Sequence, residues 1–126
     1  MIILYADDDE DDRQFFADII LEIDPGIVLL QAEDGMQTID ILSNGHLPDF
    51  IFLDINMPVL NGYETLAEIR KDKRLSDTKV IMFSTIEYHK SFDKYSGLKA
   101  KFVSKPNNIT DGIEILKTTL SLKQST

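Results

Sequence analysis

Asp7, Asp8, Asp54, Ser84 and Lys105 stand at the ends of short strand-like runs. Carboxylates gathered in one place repel each other, and partial burial adds to the cost. Either their pKa values rise or a cation sits among them. An all-oxygen donor set without His or Cys selects Mg²⁺, Mn²⁺ or Ca²⁺ over zinc or copper. Mg²⁺ is satisfied by one or two carboxylates, waters and a phosphate oxygen, which suits this acid count. Such an ion also lets an aspartate nucleophile approach an anionic phosphoryl group. Lys105 adds a second positive charge, and Ser84 offers a hydrogen bond to a phosphoryl oxygen. The backbone N–H groups of Ile55 and Asn56, just after Asp54, can cradle another oxygen. Taken singly, each residue has a plainer explanation. Asp7 and Asp8 suit a helix N-terminus, Ser84 a turn, and Lys105 an exposed position held extended by Pro106. Their joint placement is what points to chemistry.

That placement depends on the elements between them. Ile2–Ala6 is a continuous apolar run, as in a strand buried on both faces. Phe15, Phe16, Ile19, Ile20 and Ile23 recur at helical spacing, and 27–32 returns to strand. Asp34 caps a helix with Met36, Ile39 and Leu42 on one face. After the turn signals Asn44-Gly45 and Pro48 comes a third strand, 50–54. A helix then runs from Asn61-Gly62 through Leu66 and Ile69 toward Arg74. Strand 80–83 follows, then a weaker helix marked by Tyr88, Phe92 and Tyr95 that ends near Gly97. Strand 101–104 and a closing helix through Ile109, Ile113, Leu116 and Leu120 complete the pattern. Five strands, each followed by a helix, predict an α/β fold: a doubly wound, five-stranded parallel sheet with helices on both faces. Ligands of such sheets bind beyond the carboxyl ends of the strands, where strand order reverses. There Asp7, Asp8, Asp54, Ser84 and Lys105 converge.

The 126 residues suit one domain and one core. A net charge of −9 argues against a nucleic-acid surface, which calls for a basic stripe. Most of the excess lies in residues 1–24, where nine acids face one base, Arg13. Asp7 and Asp8 are assigned to the metal site, and Asp9 to Asp12 to the solvated start of a helix. His46 and His89 have no ligand-like neighbours and read as surface residues. The absence of cysteine excludes disulfides and thiolate chemistry. No apolar run approaches membrane-spanning length and no leader pattern opens the chain, so a cytoplasmic protein without membrane or nucleic-acid partners is expected.

With these residues in place, the chain resembles the CheY-like receiver domains of two-component signalling over essentially its whole length. LDINMPVLNGYE, from Leu53 to Glu64, is similar to the family's phosphoacceptor strand and following turn. ILYADDDEDDR resembles its paired-acid motif, IMFST supplies the hydroxyl after strand four, and FVSKP the lysine-proline after strand five. The resemblance implies the flavodoxin-like (βα)5 strand order 2-1-3-4-5, with residues 1–126 as one receiver domain and no output domain. It implies phosphorylation of Asp54, with Mg²⁺ (or Mn²⁺) held by Asp8, Asp54 and the Asn56 backbone carbonyl, and Asp7 acting through water. Ser84 and Lys105 would hold phosphoryl oxygens. Phe102 would be the switching aromatic, turning inward as Ser84 is drawn to the phosphoryl group. The face built from the helix before strand five, strand five and the closing helix would be remodelled for a downstream protein. The donor would be a phosphohistidine on a histidine kinase or histidine phosphotransfer protein, with the chain serving as messenger or relay intermediate.

Three departures from the family stand out: Ser in place of the commoner Thr at 84, Phe without a phenol at 102, and the aromatic-rich stretch from Glu87 to Ala100. The resemblance describes a domain that catalyses only its own phosphorylation and dephosphorylation. A phosphorylation-independent receiver acting purely as a binding surface is the main alternative. An aspartyl phosphatase of the haloacid-dehalogenase type needs a second acid two residues on, where this chain has Asn56. A flavodoxin-like cofactor binder would need a phosphate-gripping loop where this chain has successive acids.

Overall fold

A computed structural model describes residues 1–85 and 97–124, with side chains described through residue 121. The elements in order are β1 (Ile2–Ala6), α1 (Glu10–Ile23), β2 (Val28–Ala32), α2 (Gly35–Ser43), β3 (Phe50–Leu53) and α3 (Gly62–Lys71). A short 3₁₀ turn (Lys73–Leu75), β4 (Lys79–Ser84), β5 (Lys101–Ser104) and α4 (Ile109–Gln124) follow. The helix expected around Tyr88, Phe92 and Tyr95 lies outside the described residues, as do Ile86 and His89. All neighbouring strands are parallel, in the order β2-β1-β3-β4-β5. The doubly wound sheet and the order 2-1-3-4-5 are therefore present. Among the described residues, no helix is long and apolar enough to cross a membrane.

Strand alternation divides the core in two. Leu4, Ala6, Ile51, Leu53, Val80 and Met82 pack against Leu42 of α2 and Tyr63, Leu66 and Ile69 of α3. Their alternating neighbours Ile3, Tyr5, Phe50, Phe52, Ile81 and Phe83 pack against Phe16, Ile19 and Ile20 of α1 and Leu116 and Leu120 of α4. The second layer is aromatic: Tyr5 stacks on Phe16 with ring centroids 4.1 Å apart, and Phe83 meets both rings edge-on. Central strands buried on both faces read as unbroken apolar runs, whereas edge strand β2 buries only Ala32 fully.

The third helix is shorter than its pattern suggests. It ends at Lys71 because Asp72 adopts an extended backbone and accepts a hydrogen bond from Arg74 N, capping the 3₁₀ turn. Its start is secured by a capping box between Asn61 and Glu64. Arg70, near its end, donates to the carbonyls of Lys99, Leu75 and Thr78, tying together the chain segments that enter β4 and β5.

Val59, in the turn between β3 and α3, has φ 69° and is 83% exposed. A β-branched residue is strained there and Gly is not, while little packing would be lost. Val59→Gly is expected to raise the urea midpoint, a net gain of about 1 kcal/mol or less after the added unfolded-state entropy of Gly. A lower midpoint would show that the turn tolerates the β-branch.

Candidate functional site

The parallel ladders deliver the site. Ala6 and Leu53 are register partners, so Asp7 and Asp54 leave neighbouring strands at the same level. Asp54 N donates to Ala6 O at 2.9 Å and Asp7 N to Ala32 O at 3.1 Å. On the other side, Ser84 pairs with Ser104, and Lys105 N donates to Ser84 O at 2.9 Å. Gly62 secures the loop after Asp54: its N–H donates to Ile55 O at 2.8 Å, and a Cβ there would overlap the Asp54 carbonyl oxygen. No residue with a side chain fits that approach without a backbone shift.

Asp7, Asp8 and Asp54 bring carboxylate oxygens that all lie within 4.8 Å of one another. Asp7 is 1% exposed, Asp54 8%, and Asp8 is open to solvent. Lys105 reaches into the cluster, its Nζ 2.6 Å from Asp7 and 3.5 Å from Asp54. Burial pushes the Asp54 carboxyl up to about 6, with the Asp7 charge adding to the rise and Lys105 opposing it. Burial disfavours the Lys105 ammonium, but hydrogen bonds to Asp7 and Asp12 and the nearby carboxylate charges outweigh it and raise its pKa. One internal cation thus leaves negative charge uncompensated. An all-oxygen set of two buried carboxylates and one exposed carboxylate fits a hard divalent cation.

The structure brings Asp7, Asp8, Asp54 and Lys105 together. Ser84, 2% exposed, ends β4 beside them, and Asn56 lies on the exposed loop two residues after Asp54. Phe102 lies apart from the cluster, opposite Met82 and half-buried against the core on the α2–α3 face.

Two further residues join the site. Asp12 does not belong with the solvated helix start, because its carboxylate accepts from Lys105 Nζ at 2.9 Å. The first turn of α1 carries it back over the strand ends, a consequence of its spacing four residues beyond Asp8. The rest of the acidic run behaves as expected: Asp9 is the N-cap and accepts from Asp11 N and Asp12 N, while Glu10 and Asp11 are exposed. Tyr5, hidden within an apolar run, donates its hydroxyl to Asp7 Oδ2 at 2.6 Å. Strand period places Tyr5 and Asp7 on the same side, and that spacing was the available signal. Burial, together with the Asp7 charge, pushes the Tyr5 phenol strongly upward, so it remains a donor. A separate cavity of about 370 Å³, lined by residues including Phe50, Arg70, Lys79 and Lys99, opens near the start of β4 and does not include the carboxylates.

A family model described as the response regulator receiver domain matches residues 3–117. The chain is 35% identical over 81 residues to the sensor histidine kinase CheAY of Helicobacter pylori, covering 64% of the chain but 10% of that protein. It therefore spans about a tenth of that relative's length. It is 32% identical over 95 residues to protein PilG of Pseudomonas aeruginosa, covering 75% of the chain and 67% of PilG. Among solved structures, the Mn²⁺-bound form of response regulator Rcp1 superposes with a TM-score of 0.78 at 22% identity, covering 95% of this chain and 91% of that one.

The raised Asp54 pKa has a stability consequence. A folded-state value of about 6 against 3.8 means that ionising Asp54 disfavours the folded state, so its stabilising contribution is lost as pH rises from 3.8 through 6. In the metal-free protein, Asp54→Asn is expected to raise the melting temperature at pH 7.5, with an upper bound of roughly 3 kcal/mol. The gain should fade as pH falls from 6 through 3.8 and shrink when Mg²⁺ is added. A pH-independent difference would remove Asp54 ionisation as its cause.

Proposed function

The chain belongs to the response regulator receiver family, and from that premise we propose that it accepts a phosphoryl group on Asp54 and uses the modified state to change a protein-binding surface. The observation that carries this reading is the incompletely compensated cluster of Asp7, Asp8 and Asp54 with Lys105 at its edge. The family consists of signalling domains. A phosphohistidine on a histidine kinase or phosphotransfer protein is the donor this chemistry suits, and a cytoplasmic location follows from such a donor.

An oxygen of the ionised Asp54 carboxylate attacks phosphorus. A P–O bond forms as the P–N bond breaks, and the departing electron pair returns to the imidazole nitrogen. The charge of Lys105 favours the ionised carboxylate that must attack, against the burial that disfavours it. Lys105 places its ammonium where phosphoryl charge accumulates, and the Ser84 hydroxyl, at the end of β4, donates to a phosphoryl oxygen. Mg²⁺ or Mn²⁺ held by Asp7, Asp8 and Asp54, with the Asn56 carbonyl, would supply the countercharge that lets two anions meet. Asn56 offers no acid or base to turn the domain into a general phosphatase. In this reading Phe102, half-buried on the strand next to Ser84, follows a Ser84 movement and alters the surface around β5.

Incubation with acetyl phosphate and Mg²⁺ is expected to add the mass of one phosphoryl group, seen by intact-protein mass spectrometry. Asp54→Asn or excess EDTA should abolish the addition, and Lys105→Ala should slow it by at least about tenfold. Unchanged labelling of the Asp54→Asn protein would sink the assignment.

A further inference from the structure

Resting on the reading of Asp54 as phosphoacceptor, we propose that Asp12 is a positioning residue. It holds Lys105 away from Asp54 and so limits how tightly a phosphoryl group on Asp54 is gripped. The Lys105 ammonium has three N–H donors and no acceptor. It lies 2.6 Å from Asp7 Oδ2 and 2.9 Å from Asp12 Oδ2, both hydrogen-bonding distances. Asp54 Oδ1 is 3.5 Å away, an ion pair rather than a good hydrogen bond. Lys105 is thus drawn toward α1 and off the residue it serves.

The two anchors differ in how readily they release. Asp7 is fixed: Oδ2 also accepts from the Tyr5 hydroxyl at 2.6 Å, Oδ1 accepts from Asp9 N at 3.0 Å, and its side chain is 1% exposed. Asp12 is 44% exposed at its side chain, which lets the carboxylate rotate into water at little cost. Its backbone is nonetheless anchored, because Asp9 Oδ1 accepts from Asp12 N at 3.2 Å. The first turn of α1 therefore keeps presenting that carboxylate to Lys105. A phosphoryl group on Asp54 brings additional negative charge and calls Lys105 toward it. Asp12 opposes that movement by competing for the ammonium.

Beryllofluoride with Mg²⁺, a stable mimic of the phosphoryl group, tests this. Asp12→Asn should lower the beryllofluoride Kd by about two- to fivefold, the range of a partly exposed ion pair. Asp11→Asn, an exposed charge in the same turn, should leave it within about 1.5-fold, and Asp12→Asn in a Lys105→Gln background should give no gain. In the metal-free protein, Asp12→Asn should shift the Lys105 Nζ–H resonances, which Asp11→Asn should leave in place. An equal gain from Asp11→Asn, or one that persists without Lys105, would reassign the effect to general charge and overturn the proposal. An unaltered Kd in Asp12→Asn would overturn it as well. If the unmodified protein itself fails to bind beryllofluoride, the phosphoacceptor reading falls with it.

Discussion

Like charge held together at one edge of the sheet is the constraint on which this structure depends. Three carboxylates meet where β1 and β3 end, and two of them are buried. Unit charges about 4 Å apart interact by roughly 4 kcal/mol near a protein surface, so the arrangement cannot persist without compensation. Lys105 supplies part of it from the far side, carried in by the β4–β5 ladder through its N–H bond to Ser84 O. Burial first, and the Asp7 charge after it, raise the pKa of Asp54 against the pull of Lys105, and the three carboxylates form a donor set suited to a divalent cation. That imbalance is what the proposed function would draw on.

The same constraint reaches into the core. A buried carboxylate needs its lone pairs occupied, and Asp7 has Tyr5, Lys105 and Asp9 N as donors. Arg13 adds a bond to the Asp7 carbonyl at 2.8 Å. Tyr5 does two things at once, stacking on Phe16 in the aromatic layer while its hydroxyl anchors Asp7. The packing of α1 against the sheet is therefore mechanically joined to the orientation of the Asp7 carboxylate. Asp9 and Asp12, on the same helix, connect its first turn to Asp7 and Lys105.

Much of this arrangement is legible in the sequence. Unbroken apolar runs identified the central strands because burial on both faces leaves no polar alternation to confuse them. Parallel connectivity placed every strand-end residue on one edge, which is why Asp7, Asp8, Asp54, Ser84 and Lys105 could be grouped. Other features were harder to see. The end of α3 turned on Asp72, whose side chain favours a cap over another helical turn, although the apolar pattern continues to Leu75. Asp12 looked like the other acids of its run because composition carries no information on which side of a helix turn faces a neighbouring strand end.

The sequence by itself determined the order of the described elements, the parallel sheet and the residues at the strand ends, because these follow from local periodicity and from the alternation of strands with helices. Tertiary structure decided which oxygens share the Lys105 ammonium, that Tyr5 turns a core position into a support for Asp7, and how far burial lifts Asp54. These depend on distances of a few tenths of an ångström and on the solvent excluded by neighbouring elements. Side chains from β1, α1, β3 and β5 meet at that edge, and no stretch of chain taken alone contains their geometry.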